Sequence, residues 1–144
     1  MAASPWTVFD SAKHKIGNGD IDLSTSLFRL SLHRTSASAN IVGDITIFTS
    51  VADECSGGGY SALTLASVEW TAGTSAGQQK FDTADPIFTA SASVLSAVRY
   101  AVIRASAGSA ASGLLLCYAA LSTAEFNVTT GNTLNEDFQL PMAA

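Results

Sequence analysis

The sequence predicts an all-β chain, an antiparallel β-sandwich of jelly-roll-like type preceded by a short N-terminal helix or arm. Three observations point there. Short runs of period-two hydrophobicity recur along the chain. Turn residues separate them, and the runs follow one another as an antiparallel sandwich or barrel would, not as βαβ units. A helix-start signal stands only at the N-terminus. With 144 residues and no internal repeat, the chain reads as residues 1–16, the arm, and residues 17–144, one sandwich domain.

Each element has its own reason. Ser4-Pro5 ahead of Trp6, Phe9, Lys13 and Ile16 predicts a helix that Ser4 caps, Pro5 starts and Gly17 closes. Trp6, Phe9 and Ile16 then share an apolar stripe that would lie exposed for a neighbour. The cluster Gly17-Asn18-Gly19-Asp20 turns the chain, and past Leu23 the period changes to two. Residues 27–34 alternate, with Phe28, Leu30 and Leu32 inward and Arg29, Ser31 and His33 outward. Residues 44–51, rich in β-branched side chains, form another strand, and Gly57-Gly58-Gly59 breaks the chain. Residues 61–70 hold enough Ala and Leu for a helix, but the alternation around Leu63 and Leu65 favours a strand continuing to Trp70. Phe81-Asp82 and Ile87-Phe88 flank Pro86 as short strands. Residues 98–104 and 114–121 are the strongest strands, joined by an Ala/Ser/Gly loop at 106–113. Residues 125–129 alternate around Phe126 and Val128, Thr130-Gly131-Asn132 turns, and Phe138 and Leu140 end the pattern.

Composition narrows the function classes. Charged residues are 13% of the chain, where about 25% is usual, and Ala, Ser, Thr and Gly take their place. With 47% hydrophobic residues the chain is not a disordered one. So little charge disfavours a solitary soluble monomer and favours a surface partly covered by partners. The net charge is -5, and the seven basic residues form no run that would track a phosphate backbone, which argues against direct nucleic-acid binding. The N-terminus lacks the cationic and apolar regions of a signal peptide, and the apolar residues 114–121 are too few to cross a bilayer. Cys55 and Cys117 are the only cysteines and read as reduced thiols of an intracellularly made, non-membrane protein.

No set of residues makes a catalytic or metal constellation. His14 and His33 have no ligand at metal spacing and read as solvated surface histidines. Cys55 stands next to Asp53 and Glu54, which would raise a thiol's pKa where a nucleophile needs it lowered. Cys117, inside an apolar strand, reads as a small hydrophobe. Asn18, Asp20 and Asp22 alternate as Ca²⁺ ligands could, but Leu23 stands where the EF-hand pattern wants glycine, so the trio reads as a turn. Asn127-Val128-Thr129 reads as strand alternation, and the triple glycine lacks the Gly-Lys-Ser/Thr end of a phosphate loop. Trp70, Tyr60, Tyr100 and Tyr118 read as core or rim residues or as an anchor for a partner. The candidate interface residues are Trp6, Phe9 and Trp70; no catalytic, cofactor or metal residue is assigned, and the chain is read as a non-enzyme.

Phe9-x-x-x-Lys13, then Gly19-Asp20-Ile21-Asp22-Leu23, then Phe28-x-Leu30-x-Leu32, and later Phe81-Asp82 with Asp85 ahead of Arg99-Tyr100-Ala101-Val102-Ile103, form a pattern. Over roughly residues 9–140 it resembles a family of small tailed-bacteriophage virion structural proteins. Those begin with a helix and a G-x-I-D-L turn and carry a late R-Y-A-V-I strand. Where that family has long Asp/Thr-rich middle loops, this chain has Ala/Ser stretches at 89–97 and 105–113. The resemblance implies a capsid decoration (cement) protein on the capsid exterior. It would bind the major capsid protein in many copies per particle, be made in the bacterial cytoplasm, and be expected to form homo-oligomers. The alternatives are a neck or tail component (adaptor, tail-tube or head-fibre protein) and a carbohydrate-binding β-sandwich module stacking sugars on Trp70 or Tyr60.

Overall fold

The computed structural model describes residues 4–24, 26–37, 53–105, 114–135 and 139–143. Among them the chain is mostly β with one short helix. The order is β1 (Thr7–Val8), α1 (Asp10–Gly17), β2 (Phe28–His33), a 3-10 turn (Thr35–Ala37), β3 (Leu63–Thr64), β4 (Glu69–Ala72) and β5 (Gln78–Asp82). It continues with β6 (Ile87–Thr89), β7 (Leu95–Val98), β8 (Tyr100–Ala105), β9 (Leu114–Ala120), β10 (Phe126–Val128), β11 (Thr133–Asn135) and β12 (Gln139–Ala143). Five strands join in the order β1-β9-β8-β2-β3 and three in the order β12-β5-β4, while β10 pairs with β7 and β11 with β6. Every pairing is antiparallel. The expected strand at 44–51, the loop at 106–113 and Phe138 lie outside the described residues.

The central pairing is β2 with β8, from Phe28 opposite Ala105 to His33 opposite Tyr100. The register places Phe28, Leu30 and Leu32 on one face with Ala105, Ile103 and Ala101, and all six are buried. Phe28 meets Phe81 of β5 edge-on, with ring centroids 4.8 Å apart, so the five-stranded and three-stranded sheets share one core. On a neighbouring flank Tyr60 stacks on Phe88 of β6 at 5.7 Å.

Four expectations need correction. The N-terminal helix begins at Asp10, not at Pro5, and Phe9 at its N-cap offers no side-chain cap. Thr7 and Val8 instead pair with Tyr118 and Cys117 of β9, because an unfilled sheet edge satisfies their backbone groups better than a capped first turn. Ser4 does cap, but on the sheet: its hydroxyl accepts the Ala120 N–H at 2.9 Å. The residues read as an arm therefore complete the first sheet and do not stand apart from it.

The second correction concerns the outward set of β2. Ser31 and His33 are fully buried and Arg29 is half-buried, so both faces of this strand are covered. The third is the predicted strand 61–70, which breaks into β3 and β4 around Ser67, whose φ is +51°. The fourth is that the strand read from Val98 breaks at Arg99: β7 ends at Val98 and β8 starts at Tyr100. Arg99 is turned out of β8, donating its N–H to the His33 carbonyl at 2.9 Å. Gly19, at φ +80°, closes α1 where Gly17 was expected to do so, in a conformation that favours glycine.

Candidate functional site

Two regions concentrate the unusual side chains: a sealed polar cluster on β2 and β8, and an open cleft between α1 and β4.

The sealed cluster starts from the register that puts Ser31 opposite Val102 and Arg29 opposite Arg104. Ser31 Oγ lies 2.9 Å from His33 Nε2 and accepts a hydrogen bond from Arg104 Nη1 at 3.2 Å. Residues 53–55 extend the pairing beyond β2: Cys55 N–H donates to the Leu32 carbonyl at 2.8 Å and Arg34 N–H to that of Asp53 at 3.1 Å. Leu32 N–H donates to the Tyr60 hydroxyl at 2.9 Å, and that hydroxyl donates to Glu54 Oε1 at 2.8 Å. Burial, then the neighbouring Glu54, pushes the Tyr60 hydroxyl well above its usual range, although the Leu32 N–H opposes the shift. Burial also draws Arg104 below its ordinary value; Glu54 and Tyr60 counter this, and the like-charged Arg29 reinforces it.

A serine beside a histidine invites a catalytic reading. Ser31 and His33 are 0% exposed and Arg104 is 2% exposed, so a substrate carbonyl has no route to Ser31 Oγ. The cluster satisfies polar groups that two covered faces would otherwise strand. His33 is thus not the solvated surface residue that alternation implied. A signal was available in the neighbouring strand: residues 100–103 are a nearly continuous apolar run, the pattern of a strand buried on both faces, and its partner shares that burial.

The three candidate interface residues separate. Phe9 is 4% exposed and lies against Tyr118 with ring centroids 4.9 Å apart. Trp6 is half-buried and packs on the same core. The expected exposed Trp6/Phe9 stripe is therefore corrected: once β1 pairs with β9, both rings turn onto their own sheet. Trp70 differs, at 39% exposed on β4. It lines a cleft of about 350 Å³ with Ile16, Ile21, Leu23, Asp22 and Ser24. The remaining exposed large apolar residues are Leu27, Ile87 and Val94.

The other chemically suggestive residues have local duties. Burial pushes the Cys55 thiol up to about 11; Arg34 opposes this, and Glu54 and Glu125 add to it. The thiol is therefore protonated at neutral pH, with burial and not its acidic neighbours as the main cause. Cys117 is also raised by burial. Asp20 pairs with Lys15 at 2.9 Å, and Asp22 Oδ1 accepts the Ser24 N–H at 2.8 Å, so the Asn18/Asp20/Asp22 trio builds the turn after α1. Asn127 Oδ1 accepts the N–H of Ala97, whose φ is +60°. His14 is exposed and meets Asn18 at 3.0 Å. Among the described residues no three His, Cys, Asp or Glu side chains gather as a metal site, and no helix is long and apolar enough to cross a membrane. Compared with known proteins, the chain matches no family model, no curated protein and no solved structure.

Proposed function

We propose that the chain is a virion structural protein of a tailed bacteriophage, a capsid decoration (cement) protein built as a jelly-roll-like β-sandwich. The observation that carries this reading is a low-charge surface that leaves Leu27, Trp70, Ile87 and Val94 exposed over a tightly sealed core. Such a surface suits contact more than turnover. The residues behind the phage-protein resemblance fit the same picture: Ile21 and Leu23 of the G-x-I-D-L turn are buried, and Tyr100 to Ile103 form most of central β8. They shape a rigid tile.

In this role the protein bridges neighbouring major capsid subunits and adds interface to a shell strained by packaged DNA. A stable contact buries about 1,200–2,000 Å² in total. Repetition around the particle multiplies modest affinities, and a net charge of -5 suits the outer side of the shell, away from the DNA. Since residues 4–16 complete their own sheet, contact with neighbours falls to the surface around Trp70. Mass-spectrometric copy counting in purified particles tests the reading. Hundreds of copies support it, a few to dozens assign the protein to the neck or tail, and absence from the particle removes it.

A further inference from the structure

We infer that the cleft beside Trp70 docks a cationic side chain, an arginine held on an apolar segment of a partner protein. The inference deepens the shell-contact reading and rests on it for the partner's being another virion protein. Its basis is the lining itself. Ile16, Ile21 and Leu23 make an apolar base, the indole of Trp70 forms a wall, and Asp22 and Ser24 bring polar groups into the same 350 Å³ space. A guanidinium stacks on an indole more favourably than on other rings and also forks onto a carboxylate.

The carboxylate is held in place in advance. Asp22 Oδ1 accepts the Ser24 N–H at 2.8 Å and the Ser24 hydroxyl at 2.6 Å, and the Asp22 N–H donates to Ser26 Oγ at 3.0 Å. A carboxylate offers about four acceptor positions, so this turn leaves capacity for a ligand. The charge around the cleft has one sign. Asp20 lies between lining residues Gly19 and Ile21, and Glu69 precedes Trp70, while Lys15, paired with Asp20, is the cation of that group. An anionic ligand meets repulsion here, and a purely apolar one desolvates Asp22 without return. Tyr60 offers no comparable platform, since its hydroxyl is engaged by Leu32 and Glu54.

The test titrates the full-length protein with the peptide acetyl-Leu-Arg-Leu-amide at low salt, reading heat and the NMR shift of the Trp70 indole N–H. Saturable binding that moves the Trp70 signal is expected. Asp22→Asn, which keeps the acceptor for Ser24, should weaken it about fivefold to tenfold, as should citrulline in place of arginine. Trp70→Ala should abolish it. No saturation, equal binding of the citrulline peptide, or indifference to Asp22→Asn overturns the inference, and saturation by methyl hexosides instead makes the cleft a sugar platform. Copy counting separates the two readings: a particle protein whose cleft ignores the peptide loses this inference alone, and a peptide-binding protein absent from particles loses the virion reading alone.

Discussion

The five-stranded sheet and the β4 edge answer the shortage of charge in opposite ways. In the first, Phe28, Leu30, Leu32, Val102, Ile103 and Leu116 are 0% exposed, and even Ser31 and His33 are sealed in by mutual hydrogen bonds. In the second, β4 leaves Glu69, Trp70 and Ala72 exposed, beside a cleft that holds a carboxylate. Both regions use few charges. One achieves closure by pairing every polar group it buries, whereas the other leaves a large aromatic ring open. The low charge of the chain therefore has two meanings, a sealed scaffold and an available surface, and mutations should tell them apart.

The largest difference is expected at the shared core. Phe28→Ala removes the ring that joins the two main sheets through Phe81. It should cost about 3–5 kcal/mol of unfolding free energy, measured from urea titrations. A cost under about 1 kcal/mol would mean that the sheets do not depend on one core, and the contrast would fail.

The polar cluster comes next. Ser31→Ala takes away the oxygen that His33 and Arg104 both meet, leaving buried polar groups to find substitutes. A loss of about 1–3 kcal/mol follows from that desolvation. Ser31→Thr, which retains the hydroxyl, should recover much of it; equal losses from the two variants would point to packing and not to the hydrogen bonds.

Alkaline pH probes the same sealed region more gently. The folded Cys55 thiol holds its proton up to about 11, whereas the ordinary value is 9.0. Between those values the unfolded chain releases a proton that the folded chain keeps, so stability falls as pH rises through that window. Wild type should lose on the order of 1–2 kcal/mol relative to Cys55→Ala between pH 9 and pH 11. Parallel stability curves for the two proteins would show that Cys55 is exposed to solvent.

Much of this scaffold was legible in the sequence, and the reasons are local. Alternation around Phe28, Leu30 and Leu32 located β2, and the apolar runs located β8 and β9 to within a residue or two. Such positions combine local preference with burial, so pattern and structure agree. The failures share one cause, which is pairing at a distance. Thr7 and Val8 left the predicted helix because β9, more than a hundred residues away, offered a ladder. Ser31 and His33 became buried because residues 53–60 and Arg104 close over that face. The Trp70 cleft depends on β4 lying beside the turn after α1, a juxtaposition with no signature in either segment.

The smallest expected effect decides whether the open region is truly surface. Trp70 is a large residue, and a tryptophan in a core costs about 3–5 kcal/mol when truncated to alanine. Here it is 39% exposed on β4, and the core cluster is assembled without it. Trp70→Ala should therefore cost less than about 1 kcal/mol, within the range of surface substitutions. A near-neutral result in the same urea titrations, next to a large loss for Phe28→Ala, would separate a residue retained for contact from one retained for folding. A loss comparable to that of Phe28 would make the cleft part of the scaffold, and its capacity to receive a partner would go with it.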